Sequence, residues 1–396
     1  MWDLENCPDF EEHNAEVERV WKAYHDGKPY RVPVTVYGSI RNLLLNPAMN
    51  DAGYTFRGYY EDPEVQINAQ LAYEKWVRWN FICDNPMGPP AEGWQVNVDF
   101  QNSYDQGWFG CPVSYLENAV PDTAPILKDS KERLYDLEPP DALRGGLLGR
   151  AMEFFEYMNE KCPRMEFEGL PVKPPMTIPG DGTDGPFTIA CKIRGTMECC
   201  IDMLEDEKYF HDLMEFVTEN IIRRIKAIRE WRWERESVGA DERKFKRAQW
   251  GLADDSTAML SVEQYEEFIF PYHKRFAAEF SDGGPMGMHL CGDATHLFKF
   301  LVDNFNVRSF DTGFPVDFGG LRKELGPEVE IYGGPTIMLL RSGPAGAVRA
   351  EAKRILSSGI SDGGRFVLRD ANNLAPCTPI EHLAAMYETA KEFGTY

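Results

Sequence analysis

From Arg31 onward the chain repeats one pattern, and that repeat limits the folds open to it. A short run of β-forming residues ends in a polar or glycine-bearing tail, and a stretch with helical spacing follows. The runs are VPVTVYGS (32–39), NFICDNP (80–86), MTIPGDG (176–182), AQWGLADD (248–255), MGMHLCGD (286–293), RSFDTG (308–313), EIYGGP (330–335) and FVLRDANN (366–373). Helical periodicity covers about 11–25, 145–160, 197–236, 262–281, 294–305, 318–325, 344–357 and 379–393. Ser261 ahead of an acidic first turn, and Thr378-Pro379 ahead of the last helix, are start signals. Strand alternating with helix is the mark of a parallel sheet, and eight runs predict a (β/α)8 TIM barrel. An open doubly wound sheet is the rival, weakened by the lack of a glycine-rich dinucleotide turn. The expected organisation is one barrel domain over 1–396. Residues 1–30 form an amino-terminal helical extension, and 86–175, rich in Pro, Gly and aromatics, form an insertion at the barrel mouth.

In a barrel, chemistry gathers where strands end. The run tails carry Asp181, Asp184, Asp254, Asp255, His289, Cys291, Asp293, Asp311, Asp370, Asn372 and Asn373. Any one of these acids or amides is equally a helix cap, but together they predict a polar, acidic pocket. His289-Leu290-Cys291 is the most chemical tripeptide. Residues two apart on a strand share a face, so imidazole and thiol point the same way, as zinc ligands would; a core histidine beside a buried cysteine is the plain alternative. Trp94, Phe100, Tyr104, Trp108, Phe109 and Tyr115 either wall a pocket for a flat substrate or pack the insertion.

Composition removes some partners. With 42 Lys and Arg against 64 Asp and Glu, the net charge is −22, which disfavours nucleic acid and anionic membranes. No apolar run approaches the ~18 residues of a membrane span. Nine cysteines without a secreted spacing, and an acidic start without signal-peptide character, lead us to expect a cytoplasmic protein with reduced thiols.

The segments GPFTIACKIRG (185–195), DDSTAMLSVEQYEEFIFPYHKR (254–275), MHLCGDATHLFKFLVD (288–303), EIYGGP (330–335) and FVLRDANNLAPCTPIEHLAAMYE (366–388) resemble the uroporphyrinogen decarboxylase superfamily, and within it the corrinoid-linked methyltransferases. The resemblance implies a (β/α)8 barrel with its cleft at the strand carboxyl ends. It also implies a cobalamin-type corrinoid cofactor carried by a separate corrinoid-binding protein. Thiol-methylating members hold zinc by His-x-Cys and a distant Cys. His289 and Cys291 match the first two; the third position falls near Asn372, while Cys377 lies inside the turn Pro376-Cys377-Thr378-Pro379. The decarboxylases carry an arginine-rich amino-terminal motif, of which Arg41 is the only echo.

The departure at the third ligand points to the opposite half-reaction: methyl transfer from a small methylated compound, a methoxyaromatic, to the partner's cobalt. That chemistry needs an acid or a Lewis acid at the departing oxygen. Asp254, Asp255, His289 and Asp370 are the candidate catalytic residues. Arg41, Asp311, Tyr332, Asn372 and Asn373 are the candidate substrate-binding residues, and His289, Cys291 and Cys377 the candidate metal ligands. A zinc-dependent methylcorrinoid:thiol methyltransferase, a decarboxylase, and a non-catalytic sensor are the alternatives.

Overall fold

The computed structural model describes residues 9–313 and 315–396; Cys7 and the first eight residues of the expected extension lie outside them. The chain divides into two compact units. One comprises Met1–Thr55, Asn68–Trp94 and Leu290–Tyr396, the other Phe56–Ile67 and Gln95–His289.

In the first unit, strands Val34–Thr35, Phe366–Arg369, Glu330–Gly333 and Val307–Thr312 pair in that order, all parallel. Phe366–Arg369 is buried at all four positions, as an apolar strand covered on both faces must be. Helices Thr295–Phe305, Phe318–Leu325, Ala345–Leu356 and Ile380–Phe393 lie within two residues of their expected bounds. Asn306 takes the left-handed conformation after the first of these, so the chain turns at once into Val307. The 80–86 run forms no ladder, and Asp84 is the reason. Its N–H donates to the Val34 carbonyl, but its carboxylate, not its carbonyl, accepts the Val34 N–H at 2.7 Å. The same carboxylate clamps buried Arg31 in a fork of 2.7 and 2.8 Å.

In the second unit, Trp250–Ala253 pairs in parallel with Met286–Leu290, with Ala253 opposite His289. The 176–182 run, broken by Pro179 and two glycines, is not a strand. Pairing resumes three residues later, where Asp184 bridges Ala253 in parallel. The helical stretch expected over 197–236 is two helices, Thr196–Glu205 and Glu207–Arg235, because Asp206 leaves helical geometry and accepts the Tyr209 N–H as a cap. Pro186–Arg194 precedes them.

The stretch expected over 262–281 opens with a reciprocal capping box between Ser261 and Gln264. It then widens into a π-helical turn, Tyr265–Ile269, before Phe270–Phe280. Pro271 lacks an N–H to donate back to that turn, so the irregularity sits where a proline forces it. Within the 86–175 segment, helix Gly146–Lys161 forms as expected. Glu166–Phe167 and Leu170–Lys173 make a hairpin whose turn residues Glu168 and Gly169 both have positive φ. Among the described residues no helix is long and apolar enough to cross a membrane.

Candidate functional site

Strand alternation sets the first cluster. Along Met286–Leu290 burial alternates, and His289 and then Cys291 fall on the partly open face. The division between the units falls inside this strand, between His289 and Leu290, so one strand end positions both side chains. Asp255 lies two residues beyond Ala253, the register partner of His289. Its Oδ1 is 3.9 Å from His289 Nε2, with the two side chains 40% and 31% exposed. One ligand atom from each of Asp255, His289 and Cys291 falls within 4.8 Å of the others. Carboxylate, imidazole and thiolate together suit zinc, and three protein ligands leave a position open for a reactant. Cys377 is not in this group. It occupies a left-handed turn, φ 59°, with its thiol 3.7 Å from the Leu45 carbonyl.

Asp254, the neighbour of Asp255, is fully buried. Its Oδ1 accepts the Thr188 N–H at 2.8 Å and the Thr188 hydroxyl at 2.7 Å. Its Oδ2 accepts the Phe187 N–H at 3.3 Å and meets His273 Nε2 at 2.8 Å. A carboxylate can only accept, so Nε2 carries hydrogen, and Nδ1 then takes the Tyr265 hydroxyl at 2.8 Å in the neutral ring. Helix Pro186–Arg194 has Gly185 at its N-cap and no side-chain cap of its own; Asp254 supplies that function from a distant strand. A Cβ at Gly185 would stand 2.2 Å from the Asp254 carboxylate, so only glycine lets it approach.

The remaining second-unit acids divide by environment. Asp181 binds Arg229 at 2.6 Å, Arg232 at 2.9 Å and Arg247 at 3.3 Å. Burial pushes its carboxyl up, but the three guanidinium groups override this and hold it below the ordinary carboxylate range. Asp184 goes the other way, up to about 8, through burial first and then Asp105, Asp255 and Asp254. Asp105, itself buried, pairs with Arg224 at 2.5 Å.

Sequence reasoning missed Asp105, Arg224, His273 and Tyr265. None of them ends a strand, and nothing in local spacing marks them. Of the six aromatics weighed as a pocket wall, Trp94, Phe100, Trp108 and Phe109 are buried packing residues. Tyr115 lines a hollow of about 810 Å³ in the second unit with Arg57, Arg144 and Arg150; that hollow contains none of Asp184, Asp255 and His289.

The first unit gathers its own strand-end residues. Asp311 and Tyr332 are register partners. Arg369 donates to Asp311 Oδ2 at 2.9 Å and to the Asn372 carbonyl at 2.9 Å, and its guanidinium lies 5.2 Å from the Tyr37 ring centroid. Asn372 is left-handed, φ 87°, and accepts from Asn373 at 3.2 Å. Asp370 is fully buried. One oxygen accepts the Tyr37 N–H at 2.7 Å; the other has no partner. Burial, against the Arg369 charge, raises its carboxyl to about 7. Burial likewise pushes the Tyr332 phenol up, with Glu330 beside it. Arg41 begins the short helix Arg41–Leu44 and is half-buried.

Comparison with known proteins bears on this arrangement. Residues 246–393 match the family model of uroporphyrinogen decarboxylase. A methylated-thiol–coenzyme M methyltransferase of Methanosarcina mazei is 24% identical over 298 residues, covering 74% of this chain and 71% of the relative. A methylcobamide:CoM methyltransferase, MtaA, of Methanosarcina barkeri is 24% identical over 378 residues, 93% of this chain and 95% of the relative. A solved methyltransferase from Methanosarcina mazei superposes with a TM-score of 0.60 at 17% identity, covering 95% of this chain and 98% of that one. This likeness supports an α/β fold of TIM-barrel type, in keeping with the parallel strands and crossover helices of the two units.

Proposed function

This chain belongs to the uroporphyrinogen decarboxylase superfamily, among relatives that are methyltransferases, and on that premise we propose that it is a corrinoid-linked methyltransferase that demethylates a small methoxy compound, a methoxyaromatic, onto the cobalt of a partner protein's corrinoid. The reading takes the parallel strands to close as an eight-stranded barrel with 86–175 over its mouth. The observation that carries it is the third donor of the cluster: the carboxylate of Asp255, where thiol activation would call for a second thiolate. Softer ligation suits a metal that shares its charge with a bound thiolate; a single thiolate with carboxylate and imidazole suits an oxygen partner. Bound at Asp255, His289 and Cys291, zinc would supply Lewis-acid polarisation of that oxygen.

The chain's own groups do the rest. His289 and Asp255 stand half-exposed at adjacent strand ends, within reach of a ligand, while Asp254 and His273 behind them hold the segment that carries Asp255. Arg369, held between Asp311 and the Asn372 carbonyl, fixes the polar end of the first unit and leaves the Tyr37 ring, 57% exposed, as a flat surface for an aromatic ring. A second reading, methyl transfer from methylcorrinoid to a thiol, is favoured by the thiol acceptors in the names of the two curated relatives.

The test is to incubate the protein with cob(I)alamin and a panel of methoxyaromatics, and separately with methylcobalamin and thiols, following the cobalamin spectrum. Formation of methylcobalamin from a methoxyaromatic is expected. Turnover of methylcobalamin by thiols with no methoxyaromatic activity would replace this reading with the second.

A further inference from the structure

Demethylating an ether leaves a proton to be accounted for. Transfer of methyl from R–O–CH3 to cobalt(I) breaks the O–C bond, forms Co–C with the cobalt electron pair, and leaves an alkoxide or phenolate that must gain a proton to depart as R–OH. The group that supplies this proton must reach the leaving oxygen and must not be committed to a structural bond.

Asp184 meets both conditions. Its segment runs parallel to the end of Trp250–Ala253 through the Asp184–Ala253 bridge. Three adjacent parallel chain segments therefore end in Asp184, Asp255 and His289. The backbone of Asp184 is tied down: its N–H donates to Asp105 Oδ2 at 3.0 Å, and its carbonyl accepts the Thr183 hydroxyl at 2.7 Å. Its carboxyl makes no hydrogen bond among the described residues and is only partly covered. The other buried acids here are committed, Asp105 to Arg224 and Asp254 to Thr188 and His273.

The groups that act on Asp184 come from every neighbouring element. Asp105 and Tyr104 lie on the helix Tyr104–Trp108, with Arg224 paired to Asp105 from Glu207–Arg235. Asp254 and Asp255 follow one strand, and His289 ends the next. The three carboxylates and burial favour the protonated form, His289 the ionised one.

We propose that Asp184 is the proton donor to the oxygen that leaves when the methyl group is transferred. This rests on the methoxy reading above. The probe is a pair of methyl donors on cob(I)alamin, one an unactivated methoxyarene and the other carrying a nitro group that makes its phenolate a good leaving group. Asp184→Asn should lower kcat/KM for the unactivated donor by about 10²–10⁴-fold, and for the nitro donor by far less. In the wild type, the unactivated donor should lose rate above about pH 8 while the nitro donor does not.

Equal loss with both donors, or none, overturns the assignment. Identical wild-type pH profiles for the two donors overturn it without needing any variant to fold. A wild type inactive with both donors removes the methoxy reading and the proposal together; a wild type active with both and indifferent to the asparagine removes only the proposal.

Discussion

Replacing Asp254 by alanine tests whether this strand-end acid serves the fold or the substrate. The substitution strips partners from the Phe187 and Thr188 N–H groups, the Thr188 hydroxyl and His273 Nε2, all buried. Loss of a helix cap costs about 1 kcal/mol, and each buried donor left unsatisfied about 1–3 kcal/mol. With partial relaxation, roughly 3–5 kcal/mol is expected, comparable to breaking a buried polar pair. For a cooperative unit of about 200 residues this lowers Tm by roughly 6–20 °C. Asp254→Asn should cost less. Its remaining oxygen still caps Thr188, and His273 can present the unprotonated nitrogen to the new amide and donate from Nδ1 to Tyr265. Thermal unfolding at fixed pH, run with the methyl-transfer assay, decides the matter. An alanine variant that melts with the wild type yet transfers no methyl group would refute the structural role and make Asp254 a group acting on substrate.

Three further outcomes are expected. Zinc titration should give one equivalent for the wild type and for Cys377→Ser, and much weaker binding for Asp255→Ala and Cys291→Ser; loss of zinc in the Cys377 variant would remove Asp255 as the third ligand. Asp370, raised to about 7 in the fold against an ordinary 3.8, binds its proton more tightly folded than unfolded. Its contribution is therefore present below pH 4 and is lost as pH rises through 7, by a few kcal/mol in total; urea unfolding of Asp370→Asn should lack this decline, and an unchanged slope would contradict it. Asp84→Ala leaves Arg31 buried without its forked partner and should destabilise by about 3–5 kcal/mol, read by urea midpoint; a shift under 1 kcal/mol would mean that Glu16, 3.4 Å away, suffices.

The later half of the chain was legible in sequence because its periodicity is local. Runs such as FVLR and MGMHL are buried or alternate as their residue types demand, and helices such as 318–325 need only near neighbours to specify them. The 80–86 and 176–182 runs misled because long-range partners decide them: Asp84 answers to Arg31, and Asp181 to three arginines of which Arg229 and Arg232 share one helix. The site followed the same division. His289 and Cys291 sharing a face is a two-residue property and could be read directly. That Asp255 is their companion while its neighbour Asp254 turns inward depends on Thr188 and His273, far off in sequence. The aromatic stretch was ambiguous because a ring that packs and a ring that binds share one composition.

The π-helical turn at Tyr265–Ile269 has a bearing on which sequence lengths the fold accepts. Residues 265 and 273 lie eight apart, spanning the widened turn, and their contact holds the far nitrogen of His273 on Asp254. Deleting one residue within 265–269 would let the segment revert to ordinary α-helical spacing, a change that propensity alone would favour. It would also rotate everything downstream by about 100° relative to Ser261, swinging His273 off the Asp254 carboxylate. A helix that would elsewhere absorb such a deletion by sliding is here phase-locked at both ends, by its capping box and by a buried histidine. The segment should therefore tolerate side-chain substitution on its outer face far better than any change in length.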